Sequence, residues 1–351
     1  MGSMHPMHPI RLQASLHETI WGGRRLARDE WKQLPSGDVA IGEAWETEIS
    51  TIAQNAPYNG KTLGALVQEF GEALLGSRVI TIFGHRFPLL AKFIDANDRL
   101  SVQVHPDDGY AAQHEKGKLG KTEFWYVLDA APGASIIHGF KSPTSRTEVR
   151  RAIESVTLEN LLAEMPVAPG DVIFVPAGTV HAIGSGVLLY ELQEYSDLTY
   201  RMYDYGRLTA AGLPRELHVR QSLDVASYEP STRVKVRPVS LPAKPGYRDR
   251  CLVACSYFVS REITLENNGI SYGYMKGQAG NSCIILTSLG AKVQVGFGET
   301  FQHSEALARG QTMVLPAALG QYYIEGEGTF IFSYVPEADD EAWAAWRAGQ
   351  E

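Results

Sequence analysis

Residues 170–181 read GDVIFVPAGTVH and residues 310–321 read GQTMVLPAALGQ, so one pattern recurs at a constant offset of 140 residues. In each copy a glycine permits a turn into an apolar strand, and a proline ends the strand where no backbone donor is needed. The copies differ chemically, because His181 of the first stretch is replaced by Gln321 in the second. The repeat predicts two related β domains, of which the second has lost an imidazole.

Short apolar runs separated by glycine and proline extend over most of the chain, which contains 34 Gly and 18 Pro. This punctuation is typical of strands joined by turns. Helical periodicity is confined to Thr62–Leu75 and Ser145–Met165, and the Pro-rich, basic stretch Ser227–Arg248 is expected to be a linker or crossover. Strands therefore dominate, which favours a sandwich or barrel over a parallel α/β sheet. The expected strands are Pro88–Ile94, Leu100–Val104, Glu123–Asp129, Ala134–Gly139, Asp171–Val175, Val187–Gln193, Cys251–Ile263, Asn281–Thr287, Lys292–Gly296, Gln311–Leu315 and Thr329–Tyr334.

Composition limits the classes of protein to which the chain can belong. With 351 residues, 44% hydrophobic and 21% charged, the chain can bury a substantial core and is not generally disordered. The net charge of −8 and the pI near 5.7 argue against a general nucleic-acid binder. Three cysteines, an odd number, fit a reducing cytoplasm better than a disulfide scaffold. Apolar runs are too short to predict a membrane span, and the oligomeric state stays open between a monomer and a weak homo-oligomer.

Histidine and glutamate residues close to the first repeat form a candidate metal constellation. Residues 170–185 resemble the second motif of the cupin fold, a double-stranded β-helix or jelly-roll barrel, with serine in the last position where asparagine is usual. Upstream, Gln103 and His105 are two residues apart, so on a strand their side chains face the same way. Together with Glu123 and His181 they provide imidazole and carboxylate groups that suit Zn²⁺. A single strand histidine is more often a core residue, but the two motifs together favour a metal site.

Four long segments carry a closer resemblance. They are GEAWETEIS at 42–50, FPLLAKFIDANDRLSVQVHPDD at 87–108, GKTEFWYVL at 120–128 and PGDVIFVPAGTVHAIGSGVLLYELQEYSDLTYRMYDYGR at 169–207. They resemble the type I mannose-6-phosphate isomerases (phosphomannose isomerases), most of all the short bacterial form, which lacks the large helical domain of the longer enzymes. The resemblance is strong over residues 10–225 and weaker beyond, and it implies a tandem cupin: an all-β dominated fold with short helical insertions. It places a catalytic cupin domain at residues 10–225 and a second, degenerate cupin domain without metal ligands at residues 226–340.

The resemblance also implies a reaction and a cofactor. The family interconverts mannose 6-phosphate and fructose 6-phosphate by moving a proton between C1 and C2 through a cis-enediol. It uses one Zn²⁺ per chain, whose ligands correspond to Gln103, His105, Glu123 and His181 in this sequence. Gln103 is a ligand on the strength of the resemblance alone, because its spacing shows only that it shares a face with His105.

Three further residues match catalytic positions of the family, namely Lys121, Asp197 and Arg201. We expect Lys121 and metal-linked water to take part in proton transfer, since Arg201 has too high a pKa to abstract a proton and suits charge stabilisation better. Arg201 and Asp197 would orient the reacting oxygens, although the two could also form a surface ion pair. Longer members of the family have His where this chain has Gly120, so a proton relay through that side chain is absent.

Four more residues are expected to bind the hexose 6-phosphate. Lys92 matches a substrate-facing lysine and would help to hold the phosphate, and Ser101, on the face of Gln103, would hydrogen-bond it. Glu46 would lie at the rim of the pocket and Trp21 would close one side of it. Each has an alternative: Lys92 could be a solvated lysine at a strand edge, Ser101 an ordinary strand serine, Glu46 a carboxylate that supports the pocket residues from behind, and Trp21 a packed indole.

Two other functions compete with the isomerase. Two histidines and one carboxylate also describe the facial triad of iron-dependent oxygenases. A non-catalytic cupin would bind the sugar phosphate without turnover. The fourth ligand and the cations Lys92, Lys121 and Arg201 favour the isomerase over both.

Overall fold

The computed structural model describes residues 7–209, 212–231, 234–242, 245–266, 281–290 and 292–350. Strands dominate these ranges, and the helices are short, as the sequence predicts. The strands are β1 (Ile10–Gln13), β2 (Ser15–Gly23), β3 (Ile41–Trp45), β4 (Ile52–Ala53), β5 (Leu89–Ala96), β6 (Val102–Val104), β7 (Glu123–Ala130), β8 (Ser135–Phe140), β9 (Leu162–Pro166), β10 (Val172–Val175), β11 (His181–Ile183), β12 (Val187–Glu194), β13 (Tyr200–Tyr203), β14 (Lys235–Val236), β15 (Val239–Ser240), β16 (Tyr247–Ala254), β17 (Val259–Leu265), β18 (Ile284–Ser288), β19 (Lys292–Phe297), β20 (His303–Leu307), β21 (Thr312–Leu315) and β22 (Tyr322–Tyr334).

The α-helices lie between or after these strands, and within the described ranges none is long and apolar enough to cross a bilayer. They are α1 (Arg25–Arg28), α2 (Leu63–Phe70), α3 (Glu72–Leu75), α4 (Ser77–Phe83), α5 (Asp108–His114), α6 (Arg146–Glu154), α7 (Val219–Val225) and α8 (Glu341–Gly349).

The strands form three antiparallel sheets. The central sheet has seven strands in the order β14-β10-β7-β12-β5-β3-β2, and a five-stranded sheet has the order β13-β6-β11-β8-β9. The third sheet contains ten strands, from β15 to β4 by way of β16, β17, β22, β18, β21 and β1, with β19 and β20 attached at β22. The architecture is therefore of the tandem β-barrel type, as expected.

The central sheet is buried on both faces. In β12, Val187 and Leu189 pack with the five-stranded sheet, whereas Leu188, Tyr190 and Leu192 pack towards the ten-stranded sheet and helices α2 to α4. Every residue of β12 is buried because both faces are covered. The face of the central sheet that meets the five-stranded sheet carries polar residues such as Glu191 of β12. The candidate functional site therefore lies between the central and the five-stranded sheet.

The repeat is visible in the backbone. Gly170 and Gly310 both have a positive φ, 89° and 71°, and each leads into a four-residue strand, β10 or β21. Strand β10 belongs to the central sheet and β21 to the ten-stranded sheet. A glycine is required at both turns because other side chains rarely adopt this conformation.

Strand β1, which starts at residue 10, does not belong to the central sheet. Strand β1 pairs with β21, placing Ile10 opposite Val314, and β4 pairs with β1. The first strand of the expected N-terminal unit thus belongs to the sheet of the C-terminal half. The chain crosses into the central sheet only at β2.

Three expected elements differ in detail. The run Cys251–Ile263 is a hairpin of β16 and β17 rather than one strand, and Thr62–Leu75 is interrupted at Gly71, whose φ is 48°. In Ser145–Met165 the helix ends at Glu154 and the stretch finishes in strand β9, which pairs with β8. The stretch Ser227–Arg248 contains the short strands β14 and β15 and the start of β16. The three cysteines are free thiols.

Candidate active site

Three buried side chains meet between the central and five-stranded sheets. Glu123 begins β7 of the central sheet, His181 begins β11 of the five-stranded sheet, and His105 follows β6 of the same sheet. The turn of the first repeat fixes this arrangement, because the Gly178 N–H donates to the carbonyl of His105 at 2.8 Å. Sequence segments far apart are thereby brought to one point.

The three side chains are directed at one another. Nε2 of His181 lies 3.3 Å from Oε1 of Glu123, and Nε2 of His105 lies 3.5 Å from Oε2. The three ligand atoms all lie within 4.8 Å of one another, and all three residues are buried. This group could hold a metal ion, with the two imidazoles on one side and the carboxylate on the other.

The protonation states suit a metal ligand set. Burial lowers the pKa of His181 to about 4 and that of His105 well below its usual range, so both rings are neutral at pH 7. Nδ1 of His181 lies 2.8 Å from the Thr179 carbonyl and donates to it, which leaves the Nε2 lone pair facing Glu123. Burial raises the pKa of Glu123 to about 7 in spite of the opposing charge of Lys121. A divalent cation would favour the ionised carboxylate and the neutral imidazoles, so the donor set fits such an ion.

Gln103 lies next to this cluster on β6. In the strand register it stands between His181 of β11 and Arg201 of β13. Its amide Nε2 is 3.2 Å from Ser101 Oγ, an arrangement that directs the donor end of the amide to Ser101 and leaves the carbonyl oxygen as an acceptor. A neutral oxygen ligand is thus available beside the two imidazoles.

The cluster opens into a cavity of about 390 Å³. Its wall contains three of the four expected metal ligands, Gln103, Glu123 and His181. It also contains residues expected to bind or convert the substrate, namely Trp21, Lys92, Ser101 and Lys121. Four cationic and four carboxylate side chains face the cavity: Lys92, Lys121, Arg201 and Arg215, and Glu18, Glu43, Glu123 and Glu191.

Lys121 connects the cavity to the cluster. Its Nζ lies 2.8 Å from Glu123 Oε2 and 3.1 Å from His105 Nε2, and its backbone N–H donates to the Pro106 carbonyl. Only 5% of Lys121 is exposed, so its ammonium is buried beside Glu123 and His105.

Lys92 is held by two carboxylates. Its Nζ lies 3.1 Å from Glu191 Oε1, 3.7 Å from Glu43 Oε2 and 4.7 Å from the centre of the Trp45 ring. Burial disfavours its charged form, but the two carboxylates outweigh that effect and raise the pKa. Glu191 also accepts from Nε1 of Trp125 at 2.9 Å. The positive charge of Lys92 is therefore compensated by the carboxylates of Glu191 and Glu43.

Two arginines form another part of the wall. Arg201 donates from Nη1 to the Glu216 carbonyl at 2.9 Å, and burial followed by the neighbouring charge of Arg215 lowers its pKa. Arg215 is oriented by Asp204, which accepts from its Nε at 2.7 Å and from its Nη2. Arg207 binds the same carboxylate.

Glu46 and Asp197 are not part of this site. Glu46 is buried, but its carboxylate pairs with Lys32 at 2.6 Å and does not line the cavity, so it is not a rim residue. Asp197 pairs with Lys118 at 2.8 Å, with 65% of its side chain exposed, and is likewise absent from the cavity wall. The alternative of a surface ion pair applies to Asp197, although its partner is Lys118 and not Arg201.

Sequence reasoning missed Glu191, Glu43 and Arg215. Glu191 has a visible signal, because it is a charged residue inside the apolar run VLLYELQE at 187–194. Glu43 stands two residues before Trp45 on the same strand face. Arg215 lies outside any strand, and only the tertiary structure brings it to the cavity.

The antiparallel sheets and the buried His-Glu-His cluster define a cupin-type β protein with a candidate metal centre. The family model of the phosphomannose isomerase type I catalytic domain matches residues 10–126. A mannose-6-phosphate isomerase of Streptococcus mutans is 36% identical over 333 residues, covering 94% of this chain and 99% of the relative. The isomerase ManA of Bacillus subtilis is 36% identical over 331 residues, covering 93% and 99%.

Solved structures show the same relationship. A crystal structure of the mannose 6-phosphate isomerase from Bacillus subtilis has a TM-score of 0.81 and 33% identity, covering 93% of this chain and 99% of that one. A putative mannosephosphate isomerase from Archaeoglobus fulgidus shares the fold with a TM-score of 0.70 at 21% identity, covering 95% of this chain and all of that one. The chain belongs to the type I mannose-6-phosphate isomerase family and is thereby an isomerase of the intramolecular oxidoreductase class.

Proposed function

We propose that this chain interconverts mannose 6-phosphate and fructose 6-phosphate, using one Zn²⁺ held by Gln103, His105, Glu123 and His181. The observation that carries the proposal is the His-Glu-His cluster at the wall of a cavity that four cationic side chains also line. Relatives that match nearly the whole chain bear the name of this activity.

The charge of the cavity supports a phosphorylated substrate. Its four cations balance its four carboxylates when Glu123 is ionised and the imidazoles are neutral. A bound divalent cation would therefore leave the site with two positive charges, which matches a phosphate dianion. When bound, the cation would also act as a Lewis acid that polarises the sugar oxygens next to the carbon that loses its proton.

The residues of the chain divide the remaining tasks. Lys121 is the candidate for moving the proton between C1 and C2, because its Nζ lies in the buried space beside His105 and Glu123. Arg201 lines the cavity, and it is the candidate for stabilising charge on the enediol oxygens. Arg215 also lines the cavity, and it is a candidate for binding the phosphate beside the carboxylate of Asp204 that already holds its Nε and Nη2. Lys92 aligns Glu191 and Glu43 and adds to the positive field on the phosphate.

A coupled assay with metal analysis on the same sample tests this function. Mannose 6-phosphate should be converted to fructose 6-phosphate, activity should disappear with a chelator, and one equivalent of Zn²⁺ should restore it. Turnover that survives complete removal of metal would refute the metal-dependent mechanism.

The enediol route has a separate test. In D₂O, deuterium should enter the sugar at the carbon that exchanges its proton, whereas direct hydride transfer would leave it unlabelled. Oxygen consumption with Fe²⁺ and a 2-oxo acid, without isomerisation, would instead favour the oxygenase. Binding of mannose 6-phosphate without turnover by the zinc-loaded protein would favour a non-catalytic cupin.

A further inference from the structure

The candidate metal centre draws its ligands from two different sheets. His181 begins β11 of the five-stranded sheet and His105 directly follows β6 of that sheet, whereas Glu123 begins β7 of the central sheet. The distance between the carboxylate and the two imidazoles therefore depends on how far apart the sheets are held at this point. Coordination geometry tolerates changes of only a few tenths of an ångström, so this spacing must be fixed.

His138 lies next to the centre but is not part of the ligand group. It is the direct neighbour of His181 across strands β8 and β11, so the two side chains point to the same side of the five-stranded sheet. His138 is 98% buried, with 2% of its surface exposed, and the group of potential ligand atoms contains His105, Glu123 and His181 without it.

A hydrogen bond from His138 crosses the gap between the sheets. Its Nε2 lies 2.9 Å from the carbonyl oxygen of Phe174, in strand β10 of the central sheet. A carbonyl only accepts, so the ring proton is on Nε2. Phe174 pairs with Phe124, the residue directly after Glu123. The bond thus starts from the residue paired with His181 and ends on β10, the strand that pairs with the Glu123 strand β7.

Apolar contacts between the sheets are less suited to fix a distance, because the packing of side chains such as Trp125 and Ile183 is non-directional. A second directional contact beside the cluster is the bond from the Lys121 N–H to the Pro106 carbonyl at 3.0 Å, which joins the segments next to β7 and β6. A buried hydrogen bond has a defined length and a defined angle. The bond from His138 to Phe174 is therefore better suited than apolar packing to define the separation of β8 and β10.

We propose that His138 is a positioning residue of the metal centre, which fixes the spacing of the two sheets and thereby sets the affinity for the divalent cation. This inference depends on the metal site in the proposed function, and it concerns a residue that neither binds the cation nor lines the cavity. Outer residues that orient metal ligands typically change metal affinity by about 10- to 100-fold when they are replaced.

The test measures zinc binding to the metal-free protein by competition with a chelating dye, without substrate. His138→Phe keeps the ring but removes the donor, and it should weaken zinc binding by about 10- to 100-fold. His138→Gln places an amide N–H near the position of Nε2 and should bind zinc within about threefold of the wild type. His138→Asn, whose amide is too short to reach Phe174, should behave like the Phe variant.

Tyr334→Phe provides a matched control for general destabilisation. It removes a buried hydrogen bond of 2.8 Å to Asp340 in the C-terminal half, far along the chain from the metal residues. It should lower the unfolding midpoint in the metal-free state and leave zinc affinity unchanged.

The outcomes separate this inference from the proposed function. A wild-type protein that binds no divalent cation would refute the metal site itself. If the wild type binds zinc and folded His138→Phe binds it equally well, the positioning role is refuted while the isomerase proposal stands. If the Phe variant does not fold, the comparison of His138→Asn with His138→Gln decides, because equal zinc affinities of these two would refute the role.

Discussion

Glu194, at the end of β12, should make the stability of the protein depend on pH. Its side chain is 1% exposed and accepts from the Thr122 N–H at 2.8 Å. Burial, followed by the negative charge of Asp108, raises its pKa to about 8, although the bonds from Thr122 oppose the shift. In the unfolded chain the same carboxyl has a pKa of 4.5.

Whether a higher pH stabilises or destabilises the protein depends on how many protons the folded and unfolded states bind. Between pH 4.5 and 8 the folded state keeps a proton on Glu194 that the unfolded state has lost, so raising the pH favours unfolding. The associated stability is fully present below pH 4.5 and is lost as the pH rises through 8. With about 1.4 kcal/mol per pKa unit, the loss between pH 5.5 and pH 8.5 is about 3 kcal/mol.

Glu194→Gln isolates this contribution, because the amide keeps an acceptor for Thr122 and does not titrate. We expect the free energy of unfolding of this variant, relative to the wild type, to rise by about 3 kcal/mol from pH 5.5 to pH 8.5. Urea unfolding of both metal-free proteins at the two pH values measures the difference, and other titrating groups cancel in it. Glu72→Gln, at an exposed carboxylate, is the matched control and should show a constant difference. A constant difference for Glu194→Gln as well would refute the reasoning.

Three further predictions concern the candidate active site. His181→Ala should lose bound metal and activity while the fold persists, because the residue starts a short strand; a stoichiometric metal content in the purified variant would contradict its assignment as a ligand. Arg201→Lys should still bind hexose phosphate in a titration but lose most of kcat, because a point charge does not reproduce the guanidinium fork; an unchanged kcat would exclude the role in charge stabilisation. Glu191→Gln should destabilise the metal-free protein by about 3 kcal/mol, because Lys92 then keeps only Glu43 at 3.7 Å as a close carboxylate partner among the described residues. Adding Lys92→Met should recover part of that loss in denaturant unfolding, and a double variant less stable than the Glu191→Gln single variant would contradict this prediction.

Most of the strands could be predicted because glycine and proline mark their ends. The hairpin of β16 and β17 was missed because its turn, Cys255–Phe258, contains only Ser256 of the usual turn residues and lacks glycine, proline, asparagine and aspartate. Strand β9 was assigned to a helix for a related reason, since no glycine or proline separates it from α6. Local sequence signals therefore locate strands better than they locate the turns between them.

The site shows where a sequence pattern suffices and where it does not. Alternation along a strand places Glu43 on the cavity side, and three residues further on Glu46 belongs to the other side, where Lys32 meets it. The alternation of side chains can be read from the segment GEAWETE, and it predicts that Glu46 does not face the cavity. The position of Asp197 is set by the loop after β12 and by Lys118, a partner 79 residues away in sequence. No local pattern contains such a contact.

The ten-stranded sheet covers the apolar face of the central sheet. On β5, β7 and β12, Lys92, Glu123 and Glu191 face the cavity, whereas Phe93, Phe124 and Tyr190 face the ten-stranded sheet. Without that sheet, three large aromatic side chains would be exposed directly behind the residues that carry the charges. Covering them removes apolar surface from water and excludes water from the back of the cavity, where electrostatic interactions are then stronger. Strand β21, which follows the second copy of the repeated turn, belongs to the sheet that forms this wall.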